Sequence, residues 1–153
     1  MSNDTFKLST GTLDVPETWE VRTQVTLLEP EDKALVDPKL PPPASPPRAN
    51  LVISRHAAAN TNPAEALRDF LKSSAREIPQ FKLLGQESVE FHDGGQGESV
   101  ALTFPATATV QLAQRHVFRV DDDTMTQIVI TVDAYRVDEL DTTLMELLKS
   151  FHP

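Results

Sequence analysis

The alternation of apolar and polar positions divides the chain into strands, two helices and one long proline-rich stretch. Phe6, Leu8, Leu13 and Val15, with Gly11 between them and Pro16 behind, predict a short opening hairpin over 5–9 and 11–15. From Trp19 to Leu28, Trp19, Val21, Val25 and Leu27 alternate with Glu20, Arg22, Gln24 and Thr26, the mark of a half-buried strand. Leu51 to Arg55 predicts a compact buried strand. Four more strands are expected over 81–92, 98–110, 113–121 and 124–134. The Asp93-Gly94-Gly95-Gln96-Gly97 turn joins the first two and Asp121-Asp122-Asp123 joins the last two, so the pattern is an antiparallel meander.

Helical spacing appears twice. Asn62-Pro63-Ala64-Glu65 is a helix start, with Asn62 as N-cap, Pro63 in the first turn and Glu65 completing a capping box. Leu67, Phe70, Leu71, Ala75 and Ile78 then form one apolar stripe, which Pro79 ends. Near the C-terminus, Val137, Leu140, Leu144, Leu147, Leu148 and Phe151 form a second stripe, for which Asp138 is the expected cap. The chain is therefore expected to be one α+β domain over 1–153, a twisted antiparallel sheet with two main helices packed on it.

Between these elements, seven of the 12 prolines fall within 30–47. Proline lacks an N–H and fixes φ, so 30–48 is expected to be an extended loop and neither helix nor central strand. A proline-rich ligand for another domain is the alternative reading.

Composition narrows the function. The 23 acidic residues outnumber the 14 basic ones, for a formal charge of -9, which argues against nucleic acid and against anionic lipid surfaces. With no cysteine there is no disulfide, thiolate metal site or cysteine nucleophile. The first residues carry no positively charged start followed by an apolar run, and no window is long and apolar enough to span a membrane. No secretory signal, no membrane insertion and a cytoplasmic location are the expectation. The histidines at 56, 92, 116 and 152 lack zinc-site spacing, and DGGQG is followed by strand and not by the helix a phosphate cradle needs. The three aspartates lack the further oxygens and glycine of a calcium loop, and no serine occupies a GxSxG elbow. The chain is expected to be no enzyme and to need no cofactor or metal.

One feature of the strands points to binding. Leu51-Val52-Ile53 and Ile128-Val129-Ile130 place apolar side chains on both sheet faces, and His116 to Val120 nearly does so. If both helices lie on one face, the other exposes Val52, Val129 and, depending on register, Val117 or Met125. Either the chain's own proline-rich loop or opening hairpin covers that face, or a partner does.

The strings LDVPETW (13–19), LVISRH (51–56), EIPQFKLLG (77–85) and QRHVFRV (114–120), with the closing helix, resemble the DcrB-like, PsbP-like small domains. They are most similar to the Eag (effector-associated gene) chaperones of bacterial type VI secretion. The resemblance spans nearly the whole chain and includes no catalytic signature. It implies a homodimer whose hydrophobic groove holds transmembrane-type helices from the N-terminal region of a secreted effector and shields them until loading onto the secretion spike. Carried over, it places Val25, Leu27, Val52, Phe70, His116, Phe118 and Val129 in the client groove. Val25 and Leu27 share the alternation of Trp19, so core is their other reading. His116 stands where the family pattern generally has glutamine, Phe70 occupies a usually polar helix position, and the proline-rich stretch is longer than usual. A protein-binding adaptor of the same fold and a carrier of small hydrophobic ligands are the competing functions.

Overall fold

The computed structural model describes residues 3–8, 11–16, 18, 22–29, 48–58 and 61–153. Trp19 and the proline-rich stretch, apart from Arg48, lie outside the described residues. Strands β1 (Asn3–Leu8) and β2 (Gly11–Pro16) pair antiparallel as a separate two-stranded sheet, the expected opening hairpin. The main sheet has six strands: β3 (Thr23–Leu28), β4 (Asn50–Ala57), β5 (Lys82–Glu90), β6 (Gln96–Pro105), β7 (Gln111–Asp121) and β8 (Thr124–Asp133). Their order is β3-β4-β8-β7-β6-β5, and every neighbouring pair is antiparallel. The meander β5 to β8 follows the chain, as its tight turns dictate. β4 then docks on the outer side of β8, and β3 and β5 form the two edges.

Helix α1 (Pro63–Glu77) starts where the sequence places it. Asn62 Oδ1 accepts the Glu65 amide at 2.8 Å, Pro63 occupies the first turn, and Ile78 caps the other end ahead of Pro79. Helix α2 (Val137–Lys149) starts differently from expectation. A 3-10 turn, Ala134–Arg136, precedes it, and Asp133 accepts the Tyr135 amide at 2.9 Å. Asp138 is therefore not the cap; it lies in the first turn of α2, where a carboxylate favours the helix dipole.

The helices pack on opposite faces of the sheet, which corrects the expectation that both lie on one. Cross-strand partners share a face, so the register sorts the side chains. Leu51, Ile53, Ala113, Val117, Ile128, Ile130 and Val132 face one way and pack with Leu140, Leu144, Leu148 and Phe151 of the C-terminal helical region. Val100, Phe118 and Met125 face the other way and pack with Leu67, Phe70 and Leu71 of α1. Val117 and Met125, candidates for the exposed face, are both buried, one in each layer. The double-sided apolar runs of β4 and β8 thus lie in a sheet with a helix on each face, buried at Leu51, Ile128 and Ile130 on the α2 side and half-buried at Val52 and Val129 on the other.

A buried ion network fixes the end of the α2 layer. Arg119, with only 4% of its side chain exposed, donates to both Asp93 oxygens at 2.9 and 2.7 Å and to both Asp121 oxygens at 2.8 and 3.0 Å. Its guanidinium lies 4.7 Å from the Phe91 ring centroid and 5.9 Å from that of Phe151. The DGGQG segment makes the hairpin turn expected of it: Gly94 has φ +83°, and a Cβ on Gly95 would lie 2.3 Å from Arg119 Cζ. The turn is glycine-rich because a guanidinium fills the space beside it.

Candidate interaction surface

The seven positions assigned to a groove divide between the two faces. On the α1 side, Val52, Val129 and His116 are consecutive partners across β4, β8 and β7. Phe118 is on the same side of β7, and Phe70 reaches down from α1, its ring centroid 4.1 Å from that of His116 and 5.7 Å from that of Phe118. His116 and Phe118 are buried beneath α1, whereas Val52 and Val129 lie beyond it and are half-buried. On the α2 side, Val25 pairs with Ile53 and Leu27 with Leu51 at the β3 edge.

His116 belongs to a polar chain across the sheet. Gln114 Nε2 donates to Thr131 Oγ1 at 3.0 Å, Gln114 Oε1 lies 2.9 Å from His116 Nε2, and Gln127 Nε2 lies 3.3 Å from His116 Nδ1. An amide oxygen on one side and an amide N–H on the other select the neutral ring protonated at Nε2. Burial acts in the same direction and pushes the imidazole down to about 4.

The exposed apolar surface concentrates at the β3 end. Val25 is 54%, Leu27 42% and Leu28 55% exposed, and Leu147 of α2 is 43% exposed. Leu27 and Leu51 form one wall and Leu140, Leu144 and Leu147 the other wall of a groove of about 240 Å³ between β3 and α2. Strand and helix diverge there because α2 packs mainly on β8, two strands inward. Glu29 closes the end of the groove: Arg136 donates to its two oxygens at 2.8 and 2.5 Å, and the Ala49 amide donates to one of them at 3.0 Å. Those bonds hold the Glu29 carboxyl down at about 2. Leu147 was not singled out from the sequence as surface, since it continues an apolar stripe that elsewhere is core.

The opposite edge has different chemistry. β5 exposes Leu83 and Leu84, but it carries Lys82, Glu87 and Glu90 and an irregular register between Leu83 and Gly85. Glu87 is tied to Arg115 at 2.7 Å, and Arg115 lies 3.6 Å from Asp141 of α2. Charges and a bulge are the usual protection of an edge strand. β3 carries neither.

Among solved structures, the chain is similar to the Pseudomonas aeruginosa protein PA94, of unknown function, with a TM-score of 0.72 and 17% identity over 100% of this chain and 98% of that one. It is also similar to the cyanobacterial PsbP protein CyanoP from Synechocystis sp. PCC 6803, with a TM-score of 0.50 and 10% identity over 99% of this chain and 92% of that one. The architecture is the PsbP-like α+β fold. No family model and no curated protein matches the sequence. No helix among the described residues is long and apolar enough to cross a membrane.

Proposed function

We propose that this protein is a cytoplasmic, non-enzymatic chaperone that binds and shields hydrophobic, transmembrane-type helices at the N-terminus of a type VI secretion effector before loading. The observation that carries the reading is the uncharged β3 edge, exposing Val25, Leu27 and Leu28 beside Leu147 and an open apolar groove. In a chain of formal charge -9, an apolar strip without charge is a surface kept for contact. A helix rich in Leu and Ile, insoluble in water by itself, would bury its side chains against these residues while its backbone stays internally bonded.

The groove favours this reading over a carrier of small hydrophobic ligands. The cavity beneath α2, lined by Ala113, Ile130, Val132 and Leu144, holds about 80 Å³ and the groove about 240 Å³, both below the roughly 300–1,000 Å³ of a typical ligand pocket. The test is co-expression with the effector segment, read as soluble complex and as affinity for the purified segment. Burying one leucine contributes about 1.5–3 kcal/mol, and each 1.4 kcal/mol is tenfold in affinity. Leu27→Asp is therefore expected to weaken binding at least about tenfold. Undiminished binding by that variant overturns the assignment of the groove.

A further inference from the structure

We propose that Arg55 is a binding site for a carboxylate that no described residue of this chain supplies. The site does not rest on the client-shielding reading, because Arg55 and the groove residue Leu51 lie towards opposite ends of β4.

Four arginines among the described residues are buried or half-buried: Arg55, Arg115, Arg119 and Arg136. Taking a guanidinium out of water is costly, and three of the four are compensated in the same way. Arg115 reaches Glu87 and Asp141, Arg119 reaches Asp93 and Asp121, and Arg136 reaches Glu29 and Glu139. Arg55 reaches no carboxylate and makes no hydrogen bond among the described residues. Its Nε is buried without a partner, and so is Oγ1 of Thr126, its cross-strand neighbour on β8. The register puts Arg55, Thr126 and Arg119 in one row on the α2 face, but Asp93 and Asp121 are both committed to Arg119.

An aromatic ring holds Arg55 in place. Its Cζ lies 5.9 Å from the Phe151 ring centroid, the same distance as Arg119 Cζ. A guanidinium held against an aromatic ring keeps its in-plane N–H groups for other partners. With Nε buried, the N–H groups on the two Nη atoms are the ones left to a ligand. Side by side in one plane, the two Nη match the two oxygens of a carboxylate bonded end-on. A phosphate dianion would need a second cation, and the next arginine in the row already carries two aspartates. The ligand class is therefore a carboxylate, either a free acid or an acidic side chain of another polypeptide.

The test is an NMR titration of the whole chain, followed at the Arg55 Nε–H signal and at the Thr126 backbone amide. One probe is sodium acetate. The other is a capped Gly-Ser peptide with a single central glutamate, run beside the same peptide with glutamine. A saturable shift with a carboxylate probe is expected, with none from sodium chloride at equal ionic strength or from the glutamine peptide. Arg55→Lys keeps the charge but not the fork, and is expected to bind at least tenfold more weakly at the Thr126 amide. Peptide binding at least tenfold tighter than acetate assigns the site to an acidic side chain; acetate binding as tight as the peptide's assigns it to a free acid. No saturable shift with either probe, an equal response to chloride or to the glutamine peptide, or undiminished binding by Arg55→Lys overturns the site.

Discussion

Protonation of His116 is expected to destabilise the protein over a defined pH range. The ring is buried under Phe70, its Nε2–H is directed at Gln114 Oε1 and its Nδ1 faces the Gln127 amide nitrogen. A second ring proton would point at an amide N–H, and the charge would be under an aromatic face with no carboxylate among its hydrogen-bond partners. Burial accordingly lowers the group from 6.5 to about 4. Between those values the unfolded chain binds more protons than the folded one, so stability rises with pH. The contribution is complete above about pH 6.5 and is lost as pH falls toward 4. The difference, 2.5 pH units at about 1.36 kcal/mol each, is about 3 kcal/mol. At a urea slope of about 2 kcal/mol/M, the midpoint should drop by about 1.5 M from this group alone. The assay is urea unfolding at pH 7 and pH 4 for the wild type and for His116→Gln. Both chains share every carboxylate, so the difference between their pH responses isolates the imidazole. Equal pH responses in the two chains would refute the reasoning, as would a His116 ring titrating near 6.5 by NMR.

Further tests address the ion clusters. Arg119→Met is expected to destabilise the fold by about 3 kcal/mol in urea unfolding, since it leaves Asp93 and Asp121 facing each other with no cation. Gly95→Ala is expected to destabilise wild type by displacing that guanidinium, and to cost measurably less in the Arg119→Met background; additive effects would count against the steric link. Glu29, lowered from 4.5 to about 2 by its hydrogen bonds to Arg136 and then to the Ala49 amide, contributes stability above pH 4.5 that is lost as pH falls toward 2. Glu29→Gln should flatten the acid limb of stability in that window, as followed by circular dichroism.

Local chemistry made much of the fold legible before any coordinates. Asn62, Pro63 and Glu65 announce α1, Pro79 ends it, and the turns at 93–97 and 121–123 set up the meander. The side of the sheet that each helix takes was not legible, because it depends on β4 docking on β8, some 75 residues later, and no local pattern encodes that pairing. The apolar runs Leu51-Val52-Ile53 and Ile128-Val129-Ile130 do register the outcome. They are what a sheet with a helix on each face requires, and the expectation that one face lacks a helix came from placing both helices on one side. The 3-10 turn at 134–136 was hidden for a related reason: Asp133 and Asp138 are both credible caps, and only the geometry at the end of β8 selects the first. The candidate surface was legible in part. Val25 and Leu27 were singled out, but the exposure of Leu147 follows from the distance between α2 and β3, which helical spacing does not contain.

Covering both faces changes what the surplus apolar surface can be. It is an edge with a groove beside it, and an edge presents two kinds of group in two directions. The side chains of Val25 and Leu27 stand out of the sheet toward α2, whereas the outer backbone N–H and C=O groups of β3, which pair with no strand among the described residues, point along the sheet plane. A bound helix satisfies its own backbone, so it can use the side chains but has nothing to offer the edge.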